Sequence, residues 1–102
     1  MSKERAPASF EEACYAVGME IERLVIDKQK DYGQENILAF GDKGIVVRLW
    51  DKVSRLKNLV WLFKGSAPKN EPITDTYRDI AGYAIIAIML ERGWFNLELK
   101  EK

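Results

Sequence analysis

Residues 75–90 read DTYRDIAGYAIIAIML, and the reading of this stretch decides the fold. From Ile80 to Leu90 nearly every side chain is apolar. That run is about half of the roughly 20 residues a bilayer requires, so a buried helix is expected. Asp75 and Asp79 stand one helical turn apart just ahead of it. Acids suit the first turn of a helix and Arg92 suits the last. Gly93 then falls at the position after the C-cap. The helix is predicted to begin at Thr74 or Asp75 and to end near Arg92, spanning about 27 Å. A helix apolar on nearly every side is expected to be buried all round. Two neighbours from one chain barely cover it, so a helix from a second copy is the expected fourth wall.

Working outward, Ser9 and Glu12 have the spacing of a capping box. The helix they open is predicted to run to about Lys30. Phe10, Cys14, Val17, Ile21 and Leu24 recur at steps of four and three, which draws one apolar stripe. Residues 1–8 are expected to form a flexible arm. Residues 31–44, DYGQENILAFGDKG, hold three glycines around an apolar patch. They read as a structured loop with one helical turn near Ile37–Phe40, and Asp42 as a cap for the second helix. That helix is predicted over Gly44–Phe63, with Ile45, Leu49, Val53, Leu56, Val60 and Phe63 as its stripe. Residues 64–73, KGSAPKNEPI, read as a linker. The tail 94–102 suits a short strand, a helical turn or a docking segment. The expected fold is all-α, with three main helices forming one domain over 9–93 that oligomerisation completes.

Composition narrows the chemistry. The chain of 102 residues has 16 basic and 16 acidic side chains, so no net field draws nucleic acid or a membrane. It contains no histidine. That removes Ser-His-Asp and Cys-His machinery and histidine-based zinc sites. A single cysteine, Cys14, excludes an internal disulfide and cysteine-cluster zinc sites. The opening MSKERAPASFEEA lacks the apolar core of a signal peptide. A reducing, cytoplasmic setting is the expectation.

The polar residues suggest a site. Arg48, Asp51, Lys52 and Arg55 recur at helical spacing beside the apolar stripe of the second helix. Asp75 and Asp79 do the same on the third, with Glu71 just before them. Two carboxylates about 5 Å apart repel by roughly 3 kcal/mol at an effective dielectric near 20. A divalent cation reverses that sign. Magnesium takes one or two carboxylates and fills its shell with water and phosphate oxygens. Arginine and lysine beside it would hold the phosphates. The plainer reading is that Asp75 is a helix cap, Asp79 an ordinary ion-pair partner, and Arg48, Lys52 and Arg55 a solvated face. If the acids hold a metal, Asp79→Asn should abolish metal-dependent turnover and leave the fold intact, or more stable when no metal is bound, because repulsion is relieved.

The ordered set D31-Y32-G33, F40-G41, R48-L-W-D51-K52-V-S-R55-L-K-N-L and E71-P-I-T-D75-T76-Y-R-D79-I-A81-G-Y83-A84 covers most of Lys28 to Leu90. It resembles a phage and bacterial family, the nucleotide modification associated domain type 1. In layout that family is similar to the MazG-like all-α nucleotide pyrophosphohydrolases. Those are dimers or tetramers that bind magnesium through acids on adjacent helices and cut nucleoside triphosphates to monophosphate and pyrophosphate. Their paired-glutamate ExxE motif has no evident counterpart here. Asp51 and the series Glu71, Asp75, Asp79 stand in its place.

The resemblance implies a metal-dependent nucleotide-binding protein that hydrolyses ribo- or deoxynucleoside triphosphates in phage nucleotide metabolism, in the host cytoplasm. Asp51, Asp75 and Asp79 would hold Mg2+ or Mn2+, with Glu71 or Asp31 as a further ligand or base. Arg48, Lys52 and Arg55, helped by Lys28 and Lys30, would hold phosphates. Tyr32 or Trp50 would flank the base. Two alternatives stand beside this. One is a pocket that sequesters a nucleotide without cutting it. The other is a helical protein-interaction module in which the acids only cap helices and make ion pairs.

Overall fold

The computed structural model describes residues 6–62 and 73–100. The predicted arm lies partly, and the predicted linker almost wholly, outside that range. The first helix, α1, covers Phe10–Tyr32. Its start is a capping box: Glu12 N–H donates to Ser9 Oγ at 3.1 Å. The Glu12 carboxylate reaches back to accept from Ala8 N–H at 2.9 Å. One orphan donor of the helix, the Glu12 N–H, is thereby satisfied, and the return bond takes the N–H of the residue before the N-cap. α1 ends at Gly33.

Only a two-residue turn, Gly33–Gln34, separates α1 from α2, which covers Glu35–Leu56. The loop expected over 31–44 is therefore mostly helix, and the turn expected at Ile37–Phe40 belongs to a longer element. Gly41 accounts for the misreading. Its backbone (φ 58°, ψ −141°) breaks the helical path inside α2, a conformation that a residue with a Cβ rarely adopts. The bend folds the Phe40 side chain over Gly44, where an added Cβ would lie 2.7 Å from Phe40 Cβ. Beyond Leu56 the helix widens into a π-helical turn, Lys57–Trp61. Phe63, the last residue of the predicted stripe, is outside the described range.

The third helix, α3, covers Ile73–Glu91. It stops as expected: Gly93 N–H donates to Leu90 O and Trp94 N–H to Met89 O, with Gly93 at φ 74°. That pair of bonds is a Schellman motif. The Arg92 guanidinium sits over the Trp94 ring at 5.1 Å.

Paired residues give the topology. Lys52 meets Asp79 and Arg55 meets Thr76, so α2 and α3 run antiparallel. Glu20 meets Arg78, and Val25 lies against Gly82, so α1 and α3 run parallel. An up-down-up arrangement results, with α3 packed against both other helices. Its Gly82 lets α1 approach closely, since Val25 Cγ2 is 3.4 Å from where a Cβ would stand.

The core is small. Ile37, Ile45 and Phe95 cluster, with Leu49, Ile86 and Met89 among the side chains around them. Phe95 thus identifies the start of the tail as a docking segment. Ile21 is buried separately on α1. α3 is not covered on every side within one chain: Thr76 and Gly82 are its buried residues, and Ile88 is exposed. The α1 stripe is likewise split. Ile21 is buried, but Phe10, Cys14 and Val17 face solvent. Among the described residues no helix is long and apolar enough to cross a membrane.

Candidate functional site

The seam between α2 and α3 carries a polar ladder at one-turn spacing. Arg55 Nε donates to Thr76 Oγ1 at 3.0 Å, and Thr76 has no exposed surface. One turn back along α2, Lys52 Nζ lies 2.8 Å from Asp79 Oδ2. Their side chains are 26% and 16% exposed, so this pair is largely withdrawn from water. The next step along both helices brings Arg48 and Tyr83 to the wall of one groove. Arg48 Nη1 is buried and has no hydrogen-bond partner among the described residues. A buried donor left unsatisfied costs about 1–3 kcal/mol, which an acceptor reaching the guanidinium would recover.

The groove has a volume of about 200 Å³. Lys28, Gln29 and Tyr32 come from α1, Asn36 and Arg48 from α2, and Tyr83 from α3, over a floor that includes Val25, Ile37 and Ile86. Two cations face it and, among the described residues, no acid is in its lining. α2 starts at the same place without a side-chain cap, so its first-turn N–H groups add partial positive charge. A smaller hollow of about 20 Å³ adjoins it, sharing Val25, Lys28, Tyr83 and Ile86 and adding Asp79. The groove thus follows α1 from Tyr32 to Val25, and the small hollow beside it reaches Asp79, the ion-pair partner of Lys52. It favours an anion with an apolar, flat portion.

The predicted residues divide into several groups. Lys28, Tyr32 and Arg48 share the groove, and Asp79 borders its extension, where Lys52 is its ion-pair partner. Arg55 points its Nε to α3. Asp75 is held by Arg78 Nη1 at 2.9 Å, and the same guanidinium grips Glu20 Oε1 through Nη2 at 2.9 Å and Nε at 3.0 Å. Glu20, first by its hydrogen bond, and Asp75 hold Arg78 above its ordinary pKa. Asp31, Trp50 and Asp51 are exposed and outside the groove's lining. Lys30 lines a different hollow, with Leu97 and Leu99 of the tail. Glu71 lies outside the described residues.

The expected metal ligands are not gathered. Among the described residues no three carboxylates or thiols lie close enough together to hold a metal ion. Of the described acids predicted for the metal, Asp79 alone borders the groove. One carboxylate is compatible with magnesium when phosphate oxygens and water complete the shell. The groove residues that sequence reasoning left out are Gln29, Asn36 and Tyr83. Gln29 sits one position from Lys28 and three from Tyr32, and that spacing would have placed all three near one face of α1. Asn36 had no such signal, because its position depends on the short turn at Gly33.

The fold and groove define a small all-α protein whose three helices enclose a cationic, tyrosine-walled groove. The chain belongs to the family described as nucleotide modification associated domain 1, which matches residues 28–90. The matched region begins at Lys28, takes in all of α2 and nearly all of α3, and holds every groove-lining residue but Val25. No curated protein and no solved structure matches the chain.

Proposed function

We propose that the groove binds a nucleotide, and that the bound species is a nucleoside triphosphate cut to monophosphate and pyrophosphate. The observation that carries the binding reading is the pairing of Lys28 and Arg48 with two tyrosines around a groove whose described lining holds no acid. Membership of a nucleotide-associated family supports it. Hydrolysis rests on the likeness to the MazG-like pyrophosphohydrolases that the sequence resemblance implies. Asp79 is the carboxylate best placed to hold magnesium or manganese, with Asp51 and Asp75 as the further acids of this reading and Glu71 or Asp31 as base. Such an ion supplies neutralisation of phosphate charge and polarisation of the phosphoryl group. Lys28 and Arg48 fix the ligand, and Lys52, released from Asp79, adds a third cation for the phosphates. The exposed Phe10, Cys14 and Val17, which share one face of α1, support a homo-oligomer that covers that face.

Binding without turnover is the second reading. Lys52 and Arg78 already neutralise Asp79 and Asp75, which suits a protein that holds a nucleotide without recruiting metal. Thermal shift and pyrophosphate release, measured with ribo- and deoxynucleoside triphosphates and magnesium, separate the two. A ligand at 100-fold excess over its Kd stabilises the native state by about 2.7 kcal/mol. Release of pyrophosphate supports hydrolysis, and a shift without product supports sequestration. Absence of any shift sinks both. Arg48→Ala should weaken binding at least tenfold in either case.

A further inference from the structure

Two of the groove's side chains are primary amides. Gln29 projects from α1 and Asn36 from the first turn of α2, and both line the same cavity as Tyr32 and Tyr83. Each primary amide offers one acceptor oxygen and two N–H donors. Phosphate can use the donor half only. A nucleobase edge sets donors beside acceptors and engages both halves. The size of the cavity points the same way. At about 200 Å³ it is below the roughly 300–1,000 Å³ that encloses a whole drug-sized ligand. It fits one portion of a nucleotide, and its tyrosines suit the flat, apolar-faced portion. The cations Lys28 and Arg48 line the same cavity, and Lys28 also borders the small hollow that reaches Asp79.

We propose that Gln29 and Asn36 are specificity residues: they read the edge of a nucleobase seated against Tyr32 and Tyr83, while the phosphates extend past Lys28. This rests on the nucleotide-binding reading above. It gives the ligand a direction in the groove. It also makes the protein selective among bases, because a base whose edge mismatches the amides leaves them unpaired. Lys28 and Arg48, which donate only, cannot supply that selectivity through phosphate contacts.

The test is titration of the full chain with four deoxynucleoside triphosphates and with inorganic tripolyphosphate, in magnesium buffer. The best and worst bases should differ at least tenfold in Kd, the discrimination one good bidentate contact provides. In Gln29→Ala/Asn36→Ala the four bases should fall within about threefold, and tripolyphosphate should bind as in the wild type. Gln29→Glu keeps the size of the side chain but is acceptor-only when ionised. It should shift preference about tenfold toward amino-bearing bases over keto bases. Equal binding of all four bases by the wild type overturns the inference and leaves nucleotide binding standing. So does a base preference unchanged in both variants. If the wild type binds neither nucleotide nor tripolyphosphate, the nucleotide-binding reading falls, and this inference with it.

Discussion

The α2–α3 seam and the first half of α1 invert the usual rule of burial. At the seam, Lys52, Asp79 and Thr76 are drawn out of water and paired. On α1, the stripe residues Phe10, Cys14 and Val17 remain in it. The difference tracks what each region faces. The seam ladder lies between two packed helices and leads directly into the groove. The first half of α1 is mostly exposed and is tied to α3 where Glu20 meets Arg78. It also precedes the region that matches the family. A buried polar ladder fixes register, because an offset of one residue would leave each partner unsatisfied. An exposed apolar stripe fixes nothing within one chain and is available to another.

The largest effect should come from breaking the deepest rung. Thr76→Val keeps the volume but removes the acceptor that Arg55 uses, at a cost of about 1–3 kcal/mol. Chemical denaturation measures it. A loss below about 0.5 kcal/mol would show that Arg55 finds water or another acceptor without penalty. Asp79→Asn is next, at about 1–2 kcal/mol, because it strips a largely buried lysine of its counter-charge. This reverses the sign expected from the sequence, where repelling acids would be relieved. Lys52 is in direct contact with Asp79, and among the described residues no acidic trio surrounds it. A stabilised Asp79→Asn would restore the acid cluster. The smallest effect belongs to α1. Val17→Ser should change the stability of the single chain by no more than about 0.5 kcal/mol. Its signal is in assembly: sedimentation should show a shift toward smaller species, and Tm should lose its dependence on protein concentration. Unchanged sedimentation would mark that stripe as ordinary surface.

Much of the helical content is legible in the sequence because its signals are local. Ser9 and Glu12 mark one helix start, Gly93 marks one helix end, and each appears in the structure with its expected bonds. The stretch 31–44 misleads for an equally local reason. Its glycines suggest a loop, and nothing in the sequence says that Gly41 bends a helix that then continues. The polar residues are harder to read. Helical spacing places Arg48, Lys52 and Arg55 on one face of α2, yet the structure directs them to three different places: a groove, an acid and a hydroxyl. Spacing gives the face of a helix, whereas the partner depends on the crossing helix.

DTYRDIAGYAIIAIML carries both lessons. That it forms a helix, where the helix ends and which end bears the acids come from propensity, capping and the dipole, all short-range effects. What Asp79 holds, and what joins the local Asp75–Arg78 pair, is decided by the packing of α3 against two helices of opposite direction. The parallel neighbour α1 adds Glu20 to the Arg78 that already holds Asp75 one turn away. The antiparallel neighbour α2 presents Lys52 to Asp79. Ion pairs between residues distant in sequence depend on register and crossing, and these emerge only when the helices meet.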